Sequence, residues 1–174
     1  MTDAPDQRLL EVLLESWDRN NTILLNLLRA LPEGGLEAKV MEGSPSVAEM
    51  FTHIRFVRLV FVSEDAPECA RDLPEKEWAD ERDRGRIAEM LNDSAKAVRD
   101  AVRNRVEAGR DMNLHYDHPI LLLQHMLWHE GYHHGQIKLA LKVARRPIAN
   151  EVAGPVTWGV WMRKTRNKSA RPVR

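Results

Sequence analysis

The sequence predicts an all-α protein, a four-helix bundle with an up-down-down-up or similar long-crossover topology and a short C-terminal extension. Three observations lead there. Four long segments repeat apolar residues at three- and four-residue intervals, the period of a helix face. Capping and breaking residues bound those segments. No segment alternates apolar and polar residues over a strand's length between hairpin turns.

The first helix is expected from about Gln7 to Ala30, where Leu10, Leu13, Leu14, Trp17, Leu24, Leu27 and Leu28 share a face, and Pro32, Gly34 and Gly35 end it. Ser46 with Glu49 three residues later is a capping box, and Val47, Met50, Ile54, Val57, Val60 and Phe61 carry the second helix to about Ser63. The acidic stretch from Glu64 to Arg86, with Pro67, Pro74 and Gly85, reads as a long loop merging into the next helix. Ile87, Met90, Leu91, Ala95, Val98, Val102 and Val106 define the third helix, closed by Gly109. His118 before Pro119 opens the fourth, since proline suits the first helical position, and its pattern runs to about Ala144. After Pro147 the period is lost. Trp158 and Trp161 are expected to start a short helix capping the bundle, and the last twelve residues, with six Arg or Lys and no acid, read as a solvated tail.

A chain of 174 residues can bury a sizeable core, which predicts one domain over residues 1–174 with its bundle at about 7–144. Lys plus Arg and Asp plus Glu each number 26, so no global field favours nucleic acid or an anionic membrane as partner. The single cysteine, Cys69, excludes an intramolecular disulfide and a cysteine-based zinc cluster, and gets no catalytic role. With no secretion signal at its start and apolar runs far short of the roughly 20 residues of a membrane span, the chain is expected to be soluble and cytoplasmic, with a small molecule as partner.

The chemistry concentrates in Trp128-His129-Glu130-Gly131-Tyr132-His133-His134-Gly135-Gln136. His129 and His133 stand four apart on one helix face, where two imidazoles can offer nitrogens to one divalent ion. His125 lies a turn earlier; the three drift by about 40° per step, and Gln136 falls within about 20° of His129. Leu122 and Ala140 on this stripe point it into the bundle, so its polar groups need partners or a ligand. His53, among Met50, Ile54, Val57 and Val60, is either a satisfied core residue or a third ligand. Three histidines with an open position describe a catalytic metal site better than a closed structural one. His134 is about 100° round from His133 and reads as flanking or surface. His115 and His118 are given turn and cap chemistry only. Gly131 and Gly135 suggest that another helix or subunit approaches closely, and Trp128 and Tyr132 read as core or interface residues.

His129-Glu130-Gly131-Tyr132-His133 also matches the H-E-x-x-H of zinc proteases, in which the glutamate is the base. The extended forms are missing: Leu139 stands where a metzincin's third histidine belongs, and Glu151, 18 residues beyond His133, lies in a loop. The longer run from Leu123 to Ile137, with its histidine pair and Gly135-Gln136, instead resembles the fourth-helix signature of the DinB family, and His53 stands where such proteins carry their first ligand. The likeness spans residues 7–144 and departs at His134, where many relatives have arginine. It implies metal ligands at His53, His129 and His133, a divalent ion such as zinc or nickel, and a homodimer. Characterised relatives include S-transferases and an isomerase that use bacillithiol or mycothiol. The function expected is therefore metal-dependent thiol S-transfer to a small electrophile, with Gln136 and His125 orienting ligand or water and Glu130 as base or supporting neighbour. The alternatives are a metal-dependent hydrolase and a non-enzymatic metal-binding dimer of stress response.

Overall fold

The computed structural model describes the backbone of residues 4–162 and the side chains of residues 7–162; the expected basic tail from Arg163 onward lies outside the described residues. Their regular structure is entirely helical: α1 (Ala4–Arg29), α2 (Val47–Asp65), α3 (Arg84–Glu107), α4 (Pro119–Val143) and α5 (Asn150–Val156), with single 3-10 turns at Pro67–Cys69 and Trp158–Val160. The capping box at the head of α2 is formed. Glu49 N–H donates to Ser46 Oγ at 3.2 Å and Ser46 N–H to the Glu49 carboxylate at 2.7 Å. His118 caps α4 by accepting the Ile120 N–H at 3.2 Å, ahead of Pro119. Asp83 caps α3 through the Arg86 N–H at 3.0 Å. Past α1 the chain turns through Gly34, whose φ of 66° suits glycine.

Helices α1 and α2 each pack on α3 and α4, and α3 touches α4 across the middle, so α1 and α2 lie on opposite sides. Pairings run in opposite senses along α1 and α3, with Glu11 on Arg103, Trp17 on Ala95 and Asn21 on Asn92. Along α2 and α3 they run in the same sense: Arg58 meets Ser94, and Glu68 just past α2 meets Arg105. A connection between two helices running alike must return beside them. Residues 66–83 do so, bringing Ala79 back to Thr52, whose hydroxyl donates to the Ala79 carbonyl at 2.8 Å and accepts its N–H at 3.0 Å.

The core is two apolar clusters separated by a polar layer. Leu24, Leu28, Phe51, Ile54, Leu91 and Ile137 belong to one. Leu14, Trp17, Leu59, Val98, Leu122 and Met126 belong to the other. Between them lie Asn20, Asn21, Arg58, Ser94 and Glu130, all buried. Arg58 Nε and Nη2 donate to the two Glu130 carboxylate oxygens at 2.6 and 2.8 Å, and Asn20 donates to the same carboxylate at 2.5 Å. Arg58 Nη1 donates to Asn21 at 3.1 Å, the Leu91 carbonyl at 2.8 Å and Ser94 at 3.3 Å. The guanidinium also lies 4.8 Å from the centre of the Trp17 ring. Burying two charges costs several kcal/mol each, so such a pair persists only when geometry and surrounding donors offset that cost. Here all four long helices contribute.

Two expectations change. The C-terminal helix starts at Asn150, ahead of the tryptophans, which fall in and after the following 3-10 turn. That segment lies along the flank of α1, held by Asn26 on the Val156 carbonyl and Arg19 on the Val160 carbonyl, both at 2.9 Å. Trp128 and Tyr132 are not core residues: they are 73% and 57% exposed, on the outer face of α4. A Cβ on Gly131 or Gly135 would meet nothing within 4 Å, so no other described helix of the chain approaches them; the outer face of α4 has none beside it. Among the described residues no helix is long and apolar enough to cross a membrane.

Candidate metal centre

The deepest stripe of α4 is Leu122, Met126, Glu130, His133, Ile137 and Ala140, all buried. It is one residue round from the expected stripe, because Glu130 takes the bundle axis to meet Arg58. His125 and His129 are turned to its edge, half-buried. On α2 the same logic places Ile54, Arg58 and Val62 inward and leaves His53 facing α4 across the seam.

That seam brings three imidazoles together. His53 Nε2 lies 3.2 Å from His129 Nε2, and His133 Nε2 lies 3.1 Å from His129 Nε2. One nitrogen from each falls within 4.8 Å of the others, a grouping that could hold a metal ion. The spacing fits one. Metal–nitrogen bonds of about 2.0–2.1 Å at tetrahedral angles put neighbouring donors about 3.3 Å apart. Neutral imidazole nitrogens also match the donor preference of zinc and nickel.

Electrostatics keeps these rings neutral. Burial, then the neighbouring His133 and His53, lower the His129 pKa to about 3. Burial first and His53 second lower His133 to about 4. His53 is also lowered by burial, partly opposed by Glu77. In the unfolded chain a histidine titrates near 6.5, so below about pH 6.5 the unfolded state binds protons that the folded state refuses. The metal-free protein should therefore hold its full share of this stability above that pH and lose it as pH falls toward the folded values. Melting curves of metal-free protein between about pH 7.5 and 5.5, where carboxylates stay ionised, should show a falling Tm. A flat Tm over that range would contradict the burial of these rings.

Of the other candidates, Gln136 donates to the Tyr132 hydroxyl at 2.8 Å and stands in the wall of a cavity beside His53 and His133. That cavity has a volume of about 460 Å³, with Met41, Met50, Trp78, Tyr132 and Leu139 among its lining and no Lys, Arg, Asp or Glu. Glu130 is next to His129 in sequence but faces away, both oxygens taken by Arg58 and Asn20. His125 lies outside the cluster. Its Nδ1 is 2.7 Å from the Tyr116 hydroxyl, and its ring stands edge-on to Phe61. His134 lines a separate cavity with Lys138 and Trp158, and burial lowers its pKa. His115 serves a turn, with Nδ1 2.8 Å from the buried Asp65 carboxylate.

The structure adds residues that the pattern did not mark. Arg58 shares the apolar stripe of Ile54 and Val62, and Asn20 and Asn21 interrupt the stripe between Trp17 and Leu24; polar residues at one level of several apolar stripes were the available signal. Glu77 and Trp78 reach His53 from the returning connection, which has no period to read. Among known families, the model of the DinB family matches residues 5–147. Comparison with curated proteins and with solved structures returns no match.

Proposed function

This chain belongs to the DinB family, and from that premise we propose that it is a divalent-metal-dependent enzyme, holding zinc or nickel on His53, His129 and His133, that transfers a small thiol to an electrophile. The observation that supports this reading is the open side of the histidine cluster. A structural zinc is closed by four protein ligands, whereas a catalytic one keeps a position free. Among the described residues the cluster has three members, and His125, one turn before His129 on α4, is engaged with Tyr116. The cavity adjoins two of the three.

A bound divalent ion would supply Lewis acidity, favouring the thiolate form of a coordinated thiol or the hydroxide form of a coordinated water near neutral pH. The protein's own part is binding and orientation. Met41, Met50 and Leu139 offer an apolar wall that excludes water from one partner, and a lining without ionic groups favours an uncharged acceptor over a charged one. Gln136 and Tyr132, already hydrogen-bonded to each other, present the polar atoms that can orient it. In this reading Glu130 holds α4, and with it His129, in place through Arg58, while proton transfer falls to other groups.

The test is a panel of low-molecular-weight thiols with an uncharged electrophilic acceptor, run on metal-loaded and chelator-stripped protein and on His53→Ala. Thiol consumption should depend on metal and be lost in the variant. No rate above background with any thiol would defeat the transferase and leave hydrolysis as the activity to assay.

A further inference from the structure

We propose that Glu77, on the connection between α2 and α3, is a positioning residue for the metal centre: it holds the His53 ring with Nε2 turned toward His129 and His133. This rests on the reading that those three histidines bind a metal. Four observations carry it. Glu77 Oε1 lies 2.9 Å from His53 Nδ1, the nitrogen on the far side of the ring from the cluster. Trp78 stacks flat on the same imidazole, with ring centres 3.9 Å apart and planes 2° from parallel, so the ring is confined in its plane as well as at its edge. The connection is anchored at that level, because Ala79 exchanges two hydrogen bonds with Thr52, the residue before His53. Finally, Nδ1 of all three histidines is buried without a well-aligned hydrogen bond among the described residues, and of the three only His53 has a carboxylate, that of Glu77, within ion-pair distance of this nitrogen.

The chemistry follows from the tautomers of a neutral imidazole, which carries one proton on one of two nitrogens. A carboxylate at Nδ1 favours the proton there and leaves the Nε2 lone pair for an ion. A carboxylate–histidine–metal arrangement also raises the donor strength of the ring, and removing the outer partner of a metal-bound histidine typically costs 10–100-fold in affinity. The sequence motif on α4 is therefore only part of the site. A segment with no helical pattern sets the orientation of the ligand on α2.

Zinc affinity measured by competition with a chromophoric chelator, on the full chain, tests this in four proteins: wild type, Glu77→Ala, Glu77→Gln and His129→Ala. Glu77→Ala should bind zinc about 10–100-fold more weakly than wild type. Glu77→Gln, whose amide oxygen can still accept from Nδ1, should recover part of that loss. In the metal-free proteins, long-range proton–nitrogen NMR of His53 should show the Nδ1–H tautomer in wild type and lose that bias in Glu77→Ala. The Glu77 side chain is 45% exposed and outside the core, so circular dichroism of the variants should match wild type. Zinc binding by wild type that His129→Ala abolishes but Glu77→Ala leaves unchanged would overturn the role of Glu77 and keep the metal centre. No zinc binding by wild type would overturn both.

Discussion

Replacing Arg58 by methionine is expected to destabilise the fold by about 3–5 kcal/mol, the usual consequence of stranding one partner of a buried ion pair. Glu130 would keep only the Asn20 amide against a carboxylate that has no access to water. The donors to Asn21, Leu91 and Ser94 would vanish at the same time, and those acceptors sit on α1 and α3. The loss therefore reaches every long helix, and urea unfolding should show a lower midpoint with an unchanged slope. The companion variant decides the cause. Removing both charges, as Arg58→Met with Glu130→Leu, should recover much of the stability, because an apolar pair of similar volume often equals or exceeds a buried ion pair. A single variant within about 1 kcal/mol of wild type would show that the polar layer does not hold the helices together.

His129→Ala is expected to abolish metal binding outright. Both short contacts of the cluster run through this residue, which stands between His53 and His133 at 3.2 and 3.1 Å. Without it, two nitrogens remain on different helices. Since loss of a mere outer partner of a ligand costs 10–100-fold, loss of the central ligand should exceed about a hundredfold. Elemental analysis of protein purified without an affinity tag would read this directly, with His125→Ala as the control that keeps its metal, because that ring is bonded to Tyr116 and lies outside the cluster. A His129→Ala protein carrying as much metal as wild type would remove the three-histidine centre from consideration. The fold should survive the substitution, since His129 is half-buried at the edge of the deep stripe and the Arg58 pair is untouched.

What was legible in the sequence was whatever leaves a period. The four long helices and the Ser46 and His118 caps follow from residue spacing, and the structure has them; spacing leaves His53 as a core residue or a third ligand, the family resemblance favours the ligand, and the structure brings it against the α4 histidines. The rotation of α4 was off by one residue because a wheel drawn on apolar neighbours cannot weigh an arginine arriving from another helix. Arg58 selects Glu130 for the axis and so pushes His129 toward α2. Trp128 and Tyr132 read as core or interface residues, and the core half of that reading fails because both are exposed on the outer side of α4. Glu77 and Trp78 had no legible signal: their position depends on a connection folding back beside α2, which is tertiary information.

The cavity is built from two kinds of chain. The helices contribute the nitrogens and fix them through a fully satisfied polar layer that tolerates little change. Met41 and Trp78, by contrast, come from the two long connections, 30–46 and 66–83. Exchange of those connections can reshape what enters without moving the nitrogens, so one bundle can serve many small molecules. The division of labour makes the helices the fixed part of such a site and the connections its variable part.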